Sequence, residues 1–108
     1  MASAGDVWQM EAQIVPADEE VSSVSTSTSP AAFLHRVGAD AASVLKTPKD
    51  RATVEHWKHE IAHGREFNVT LHLDSMGNVI GADGRHRALA AHQSGTDRIH
   101  VVVTRNLR

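Results

Sequence analysis

Val79-Ile-Gly-Ala-Asp-Gly-Arg-His-Arg-Ala-Leu-Ala-Ala91 is the stretch on which the reading of this chain turns. The β-branched pair Val79-Ile80 begins a strand, and Gly81-Ala82-Asp83-Gly84 breaks it. A helix follows from about Arg85 to Gln93, and Gly95 ends it. The first turn of any helix leaves backbone N–H groups without intrahelical acceptors, and the macrodipole places partial positive charge there. Gly84 removes the Cβ that would hold an anion away, Gly81 is the second glycine of the junction, and Arg85, His86 and Arg87 add donors. A phosphate-binding helix N-terminus is built from such parts. The candidate nucleotide- or phosphate-binding residues are therefore Gly81, Gly84, Arg85, His86 and Arg87, and the candidate catalytic pair is Asp83 and His86. Asp83 has two readings. It is either the N-cap of the helix, which the spacing favours, or a group that orients a metal or a second substrate. The plain alternative for the whole stretch is a solvated basic helix start.

The flanking segments supply the rest of a domain. Val69, Leu71 and Leu73 alternate with Thr70 and His72, the pattern of a half-buried strand, and Asp74–Asn78 is a turn by composition, so 69–80 reads as a hairpin. Residues 98–104 form the most strand-like window of the chain. Upstream, Thr47 caps a helix with Pro48 in its first turn and Asp50 as the capping-box acid. That helix runs to about His63, where Gly64 stops it, and Val54, Trp57 and Ile61 share one face. Ser29-Pro30 opens a short helix over 31–36. The fold class is α/β: a small mixed sheet with a β-hairpin and flanking helices.

Asp83-Gly-Arg-His-Arg-Ala88, followed by Ala90-Ala91, Gly95 and Ile99–Val103, resembles the nucleotide-binding box of the ParB/sulfiredoxin superfamily. The helix ending Ile61-x-x-Gly64, the strand and the glycine-containing turn match what precedes the box in that family, so the likeness covers roughly residues 48–104. It implies a small α/β domain whose box binds nucleotide phosphates, with CTP or ATP/ADP and Mg²⁺ as the expected ligands. Sulfiredoxins carry Gly-Cys-His-Arg. Arg85 occupies the cysteine position here and the chain has no cysteine, which excludes that reductase. Partition proteins carry Gly-Glu-Arg-Arg, so Arg85 also displaces the acid tied to CTP hydrolysis. The closest box is the Asp-Gly-His-His-Arg of the free serine kinases, in which Arg85 replaces the first His. Those kinases use an upstream glutamate, for which Glu19 or Glu20 is the available stand-in. The resemblance admits phosphoryl transfer or nucleotide hydrolysis, binding without turnover, and ParB-like nuclease action on DNA.

Composition limits the field further. Of 108 residues only 4% are aromatic, which argues against a base-stacking platform, and the formal charge of −2 points to neither DNA nor membrane. No apolar run reaches the length of a membrane span and no signal peptide opens the chain, so a soluble cytoplasmic protein is the expectation. Charge is unevenly spread. Residues 1–35 hold five acids and no Lys or Arg, whereas all 11 basic residues lie in 36–108. Residues 1–28 read as an acidic, Ser/Thr-rich arm and 29–108 as the domain, with 22–30 either a linker or a short edge strand. Val7, Trp8, Met10, Ile14 and Val15 could dock a short element of the arm on the domain. Such an arm suits a second reading: a catalytically inactive binding or inhibitor protein of a phage or mobile element, with the arm covering a protein partner. The oligomeric state is not encoded in any of this.

His59-Glu60-Ile61-Ala62-His63 matches the H-E-x-x-H of zinc peptidases, with Glu60 as base. The surroundings weigh against a metal. Gly64 ends the helix, no glutamate follows Glu66, and Asp83, His72 or His86 would complete the set only through an unusual geometry. The expectation is no catalytic metal; His56, His59 and His63 form a stripe at helical spacing that could take up a metal ion adventitiously, and His35, His92 and His100 are isolated.

Overall fold

The computed structural model describes residues 21–107. The arm's apolar residues and Glu19 and Glu20 lie outside them. The described residues form a mixed α/β domain of four helices and one four-stranded sheet: β1 (Val21–Thr28), α1 (Pro30–Arg36), α2 (Ala41–Val44), α3 (Pro48–Ala62), β2 (Asn68–Leu73), β3 (Val79–Asp83), α4 (Arg85–Gln93) and β4 (Ile99–Asn106). The strand order is β1-β4-β2-β3. β4 runs antiparallel to β1 and parallel to β2, and β2 and β3 form the hairpin.

Alternation decides which way each strand faces. Val69, Leu71 and Leu73 of β2 and Ile99, Val101 and Val103 of β4 are buried in one core with Phe33, Leu34, Val44 and Val54 from the helices. The intervening Thr70, His72, Val102 and Thr104 stay half-buried and His100 is exposed, on the opposite face. There the ring of His72 hydrogen-bonds through Nδ1 to Oγ1 of Thr104, its partner in the parallel register. The Ala-rich run of α4 has its own explanation. Ala88, Leu89, Ala90 and Ala91 are all buried, because α4 packs against α1, α2, α3 and β2 at once. Small side chains let that many neighbours approach one helix.

The short element β1 resolves the choice left open at 22–30: it is an edge strand paired with β4 along its whole length, from Val21 opposite Asn106 to Thr28 opposite Ile99. Val24, Ser22 and Thr28 are buried on its core side. The helix starts follow their caps. Ser29 caps α1 with Pro30 at its first position, and Thr47 and Asp50 make a reciprocal capping box on α3. Two details differ from the sequence reading. The strand begun by Val79 runs on to Asp83 and is not broken at Gly81. Gly81 lies opposite His72, a Cβ there would make only ordinary contact at 3.8 Å, and its φ is not positive, so the residue continues the ladder. The second difference is α2, a single turn whose Asp40 and Ser43 form a capping box that apolar periodicity over four residues does not reveal.

Candidate functional site: the start of α4

The last residue of β3, Asp83, leads through one glycine into α4. Gly84 is the N-cap, in the left-handed region at φ 107° and ψ 20°, and is buried. The N-cap reading of Asp83 is therefore incorrect. Gly84 occupies the cap, and the Asp83 carboxylate accepts instead from Nη2 of Arg87 at 2.9 Å while remaining 79% exposed. The need for glycine also has a different origin from the one expected. A Cβ on Gly84 would point at Val69, 2.5 Å from its Cγ1, so the missing side chain first serves the packing of α4 on β2.

The other three described helices are closed by side chains. Ser29 Oγ accepts from the Ala32 amide, Asp40 Oδ1 from the Ser43 amide and Thr47 Oγ1 from the Asp50 amide, at 3.1, 2.7 and 3.1 Å. No side chain caps α4. Its first backbone acceptor serves Ala88, whose amide reaches the Gly84 carbonyl at 2.8 Å. The amides of Arg85, His86 and Arg87 are thus left for an outside acceptor among the described residues. Such first-turn amides are satisfied by water, a side chain or a ligand.

The three basic side chains of the box divide. Arg87 is committed to the fold: Nη1 donates to the Asn68 carbonyl at 2.7 Å, Nη2 to Asp83, and its guanidinium lies 5.5 Å from the centre of the Trp57 ring. His86 Nε2 donates to Oδ1 of Asp50 at 2.9 Å. Arg85 is exposed and has no partner among the described residues. Arg87 is matched by Asp83 and His86 by Asp50, so Arg85 carries the uncompensated charge beside the open amides. The candidate catalytic pair is not assembled, since Asp83 turns to Arg87 and His86 to Asp50.

Asp50 is the residue the sequence reading did not connect to this site. Its Oδ2 serves the Thr47 amide and hydroxyl, each at 2.9 Å, which leaves Oδ1 for His86 thirty-six residues away. The hydrogen bond from His86, then those from Thr47, hold its carboxyl below the ordinary value of 3.8. The capping box was visible in Thr47 and Asp50. A capping acid that uses one oxygen has a second to offer, and that was the available signal. Because Nε2 of His86 donates to Asp50, Nδ1 of the neutral ring is an acceptor, which is the orientation an oriented general base requires.

His59 and His63 of the H-E-x-x-H match sit one turn apart at the end of α3, both exposed, with ring centres 4.2 Å apart. Glu60 faces away toward His56, at 3.5 Å. No group of three or more His, Cys, Asp or Glu side chains gathers around a metal-sized space among the described residues. Among the same residues no helix is long and apolar enough to cross a membrane. A cleft of about 190 Å³ is lined by the apolar Ile61, Phe67 and Ile99 together with Arg65, Glu66, Thr96, Arg98 and His100. No protein-family model matches the chain, and neither a curated protein nor a solved structure does.

Proposed function

We propose that this chain is a nucleotide-binding domain of the ParB/sulfiredoxin type that takes the phosphates of its ligand at the start of α4. One observation carries the reading. α4 alone among the described helices has no side-chain cap, and its open first turn lies beside the one unpaired arginine of the box. The amides of Arg85, His86 and Arg87 donate to the phosphate oxygens, and the Arg85 guanidinium neutralises their charge. Arg87 acts through the fold, holding the ends of β2 and β3 against α4. His86, oriented by Asp50, presents Nδ1 toward a hydroxyl or water next to the phosphate, so phosphoryl transfer or hydrolysis is chemically available. Phe67 meets Trp57 at 5.6 Å between ring centres, and Trp57 in turn lies against Arg87, so an aromatic contact backs that guanidinium.

Isothermal titration of the folded chain with CTP, ATP and ADP, with and without Mg²⁺, tests this. Binding of at least one nucleotide is expected. Arg85→Ala should weaken it by about 10–100-fold, the range of a lost charge-assisted hydrogen bond. Absence of binding to all of them would overturn the proposal.

A further inference from the structure

The last turn of α3 carries a pair of side chains that the site at α4 does not use. His59 and His63 are four residues apart, so they share one face of the helix, opposite the face that packs Val54 into the core. Both are exposed, and their rings approach to 4.2 Å between centres. We propose that they form a two-histidine chelate for a borderline divalent cation of the Zn²⁺ class.

The ring of His63 is held in the form that ligates. Its Nδ1 lies 2.8 Å from the His59 carbonyl oxygen. A carbonyl can only accept, so Nδ1 carries the proton, and in the neutral ring Nε2 is the nitrogen with the free lone pair. An outer hydrogen bond of this kind fixes the tautomer of metal-binding histidines. The same carbonyl also accepts from the His63 backbone amide, at 3.2 Å, so ring and backbone of His63 are fixed on one atom of His59. His59 has no side-chain hydrogen bond among the described residues, so its imidazole can turn to a metal without losing one. The position at the C-terminal end of a 15-residue helix adds the negative end of the macrodipole, which favours a cation. Imidazole nitrogens select Zn²⁺, Cu²⁺ or Ni²⁺ over the oxygen-seeking Mg²⁺ and Ca²⁺. With two protein ligands the remaining positions belong to water. Glu60, facing His56, is not part of the set, which separates this site from a peptidase centre.

The test is titration of the full-length, untagged chain with ZnCl₂ and, separately, MgCl₂. One Zn²⁺ per chain is expected, with no Mg²⁺ bound at this site. His59→Ala and His63→Ala should each weaken Zn²⁺ binding by about tenfold or more, as loss of a ligand or of its orientation does. Glu60→Gln and His92→Ala, the latter an exposed histidine on α4, should leave it unchanged. Zn²⁺ should raise the melting temperature of the wild type and not of His59→Ala, whose folding circular dichroism reports independently. In ¹⁵N spectra Zn²⁺ should shift His63 Nε2 while Nδ1 stays protonated. Zn²⁺ binding that survives both histidine substitutions, no Zn²⁺ binding to the folded chain, or a metal shift at His63 Nδ1 would each overturn the assignment.

Discussion

A methyl group on Gly84 would stand 2.5 Å from Cγ1 of Val69 and 2.9 Å from its Cβ, so the backbone of α4 starts in direct contact with the inner strand β2. Two penalties therefore meet at one residue: a left-handed backbone at φ 107° and a steric overlap with a fully buried valine. Gly84→Ala should cost about 2–4 kcal/mol in denaturant unfolding, combining the left-handed penalty with overpacking. Gly95→Ala is the control. It has φ 77° and nothing within 4 Å of a Cβ, and should cost only about 1–2 kcal/mol. Val69→Ala should relieve part of the Gly84→Ala penalty, giving a favourable coupling of about 0.5–3 kcal/mol in a double-mutant cycle. Equal costs at the two glycines would show that the contact with Val69 decides nothing.

Asp50 ties stability to acid pH. Its carboxyl is held below 3.8 by His86 first and Thr47 second, that of Asp40 by Ser43, and that of Asp74 by the amide of Asn78. Each binds its proton less readily folded than unfolded. The unfolded chain therefore holds more protons, and stability rises with pH across this range. The contribution is fully present above the unfolded value and is lost as pH falls through the folded one. The melting temperature should be independent of these three groups above about pH 5 and drop below about pH 4. Asp50→Asn should flatten that drop, and should lower the melting temperature at neutral pH because His86 loses its charged acceptor. An acid limb unchanged in Asp50→Asn would remove Asp50 as a contributor.

How far the sequence carried can be judged at particular residues. The capping signals at Ser29, Thr47 and Asp50 and the alternation in β2 and β4 were readable because each is local: a cap reaches three residues and a strand repeats every two. The class of fold followed from them. The site was legible in composition but not in pairing. The spacing of the box favours Asp83 as a cap and leaves open its use as a ligand-orienting group. In the folded chain the claim of Arg87, one helical turn away, wins the carboxylate, and Gly84 takes the cap. His86 finds Asp50 only because α3 lies against α4, a contact set by the burial of Val54 and Ala88–Ala91 and invisible to any local pattern. Gly84 was read as room for a ligand. Its constraint came from Val69, fifteen residues back on the neighbouring strand.

Arg87 and Asp83 form an ion pair whose two ends should respond unequally. Asp83 is 79% exposed and Arg87 24%. The carboxylate gives up little when removed, because an exposed pair is worth about 0–1 kcal/mol. The guanidinium also serves the Asn68 carbonyl and covers the Trp57 ring. Arg87→Ala should therefore destabilise by about 1.5–3 kcal/mol, from a charge-assisted hydrogen bond plus the ring contact. Asp83→Asn should change stability by less than about 1 kcal/mol. Arg87→Lys should recover only part of the loss, since a single ammonium does not reproduce the planar fork across Asn68 and Asp83. Thermal or chemical unfolding of the three variants decides it; an Arg87→Ala variant as stable as Asp83→Asn would mean that Arg87 is not a strut.

The edge strand makes a last prediction about where the folding unit begins. β1 pairs with β4 over eight positions, and Arg98 fixes its end by donating from Nη2 to the Ser27 carbonyl at 2.9 Å. Without β1, the strand Ile99-His-Val-Val-Val-Thr would become a sheet edge with its backbone groups unpaired and Val101 and Val103 uncovered on one side. Arg98 and Arg105 stand at the two ends of β4 and leave its β-branched centre, Val101–Val103, unguarded, and an apolar edge of this kind recruits other chains. A chain beginning at Ser29 should therefore be aggregation-prone, with loss of the cooperative unfolding transition. Val24→Ala in the full chain, which thins β1 but keeps its backbone, should stay monodisperse and cost about 1–3 kcal/mol. Light scattering and denaturant titration distinguish the two. A soluble, cooperatively folding chain from Ser29 would show that β4 tolerates being an edge and that the unit starts after β1.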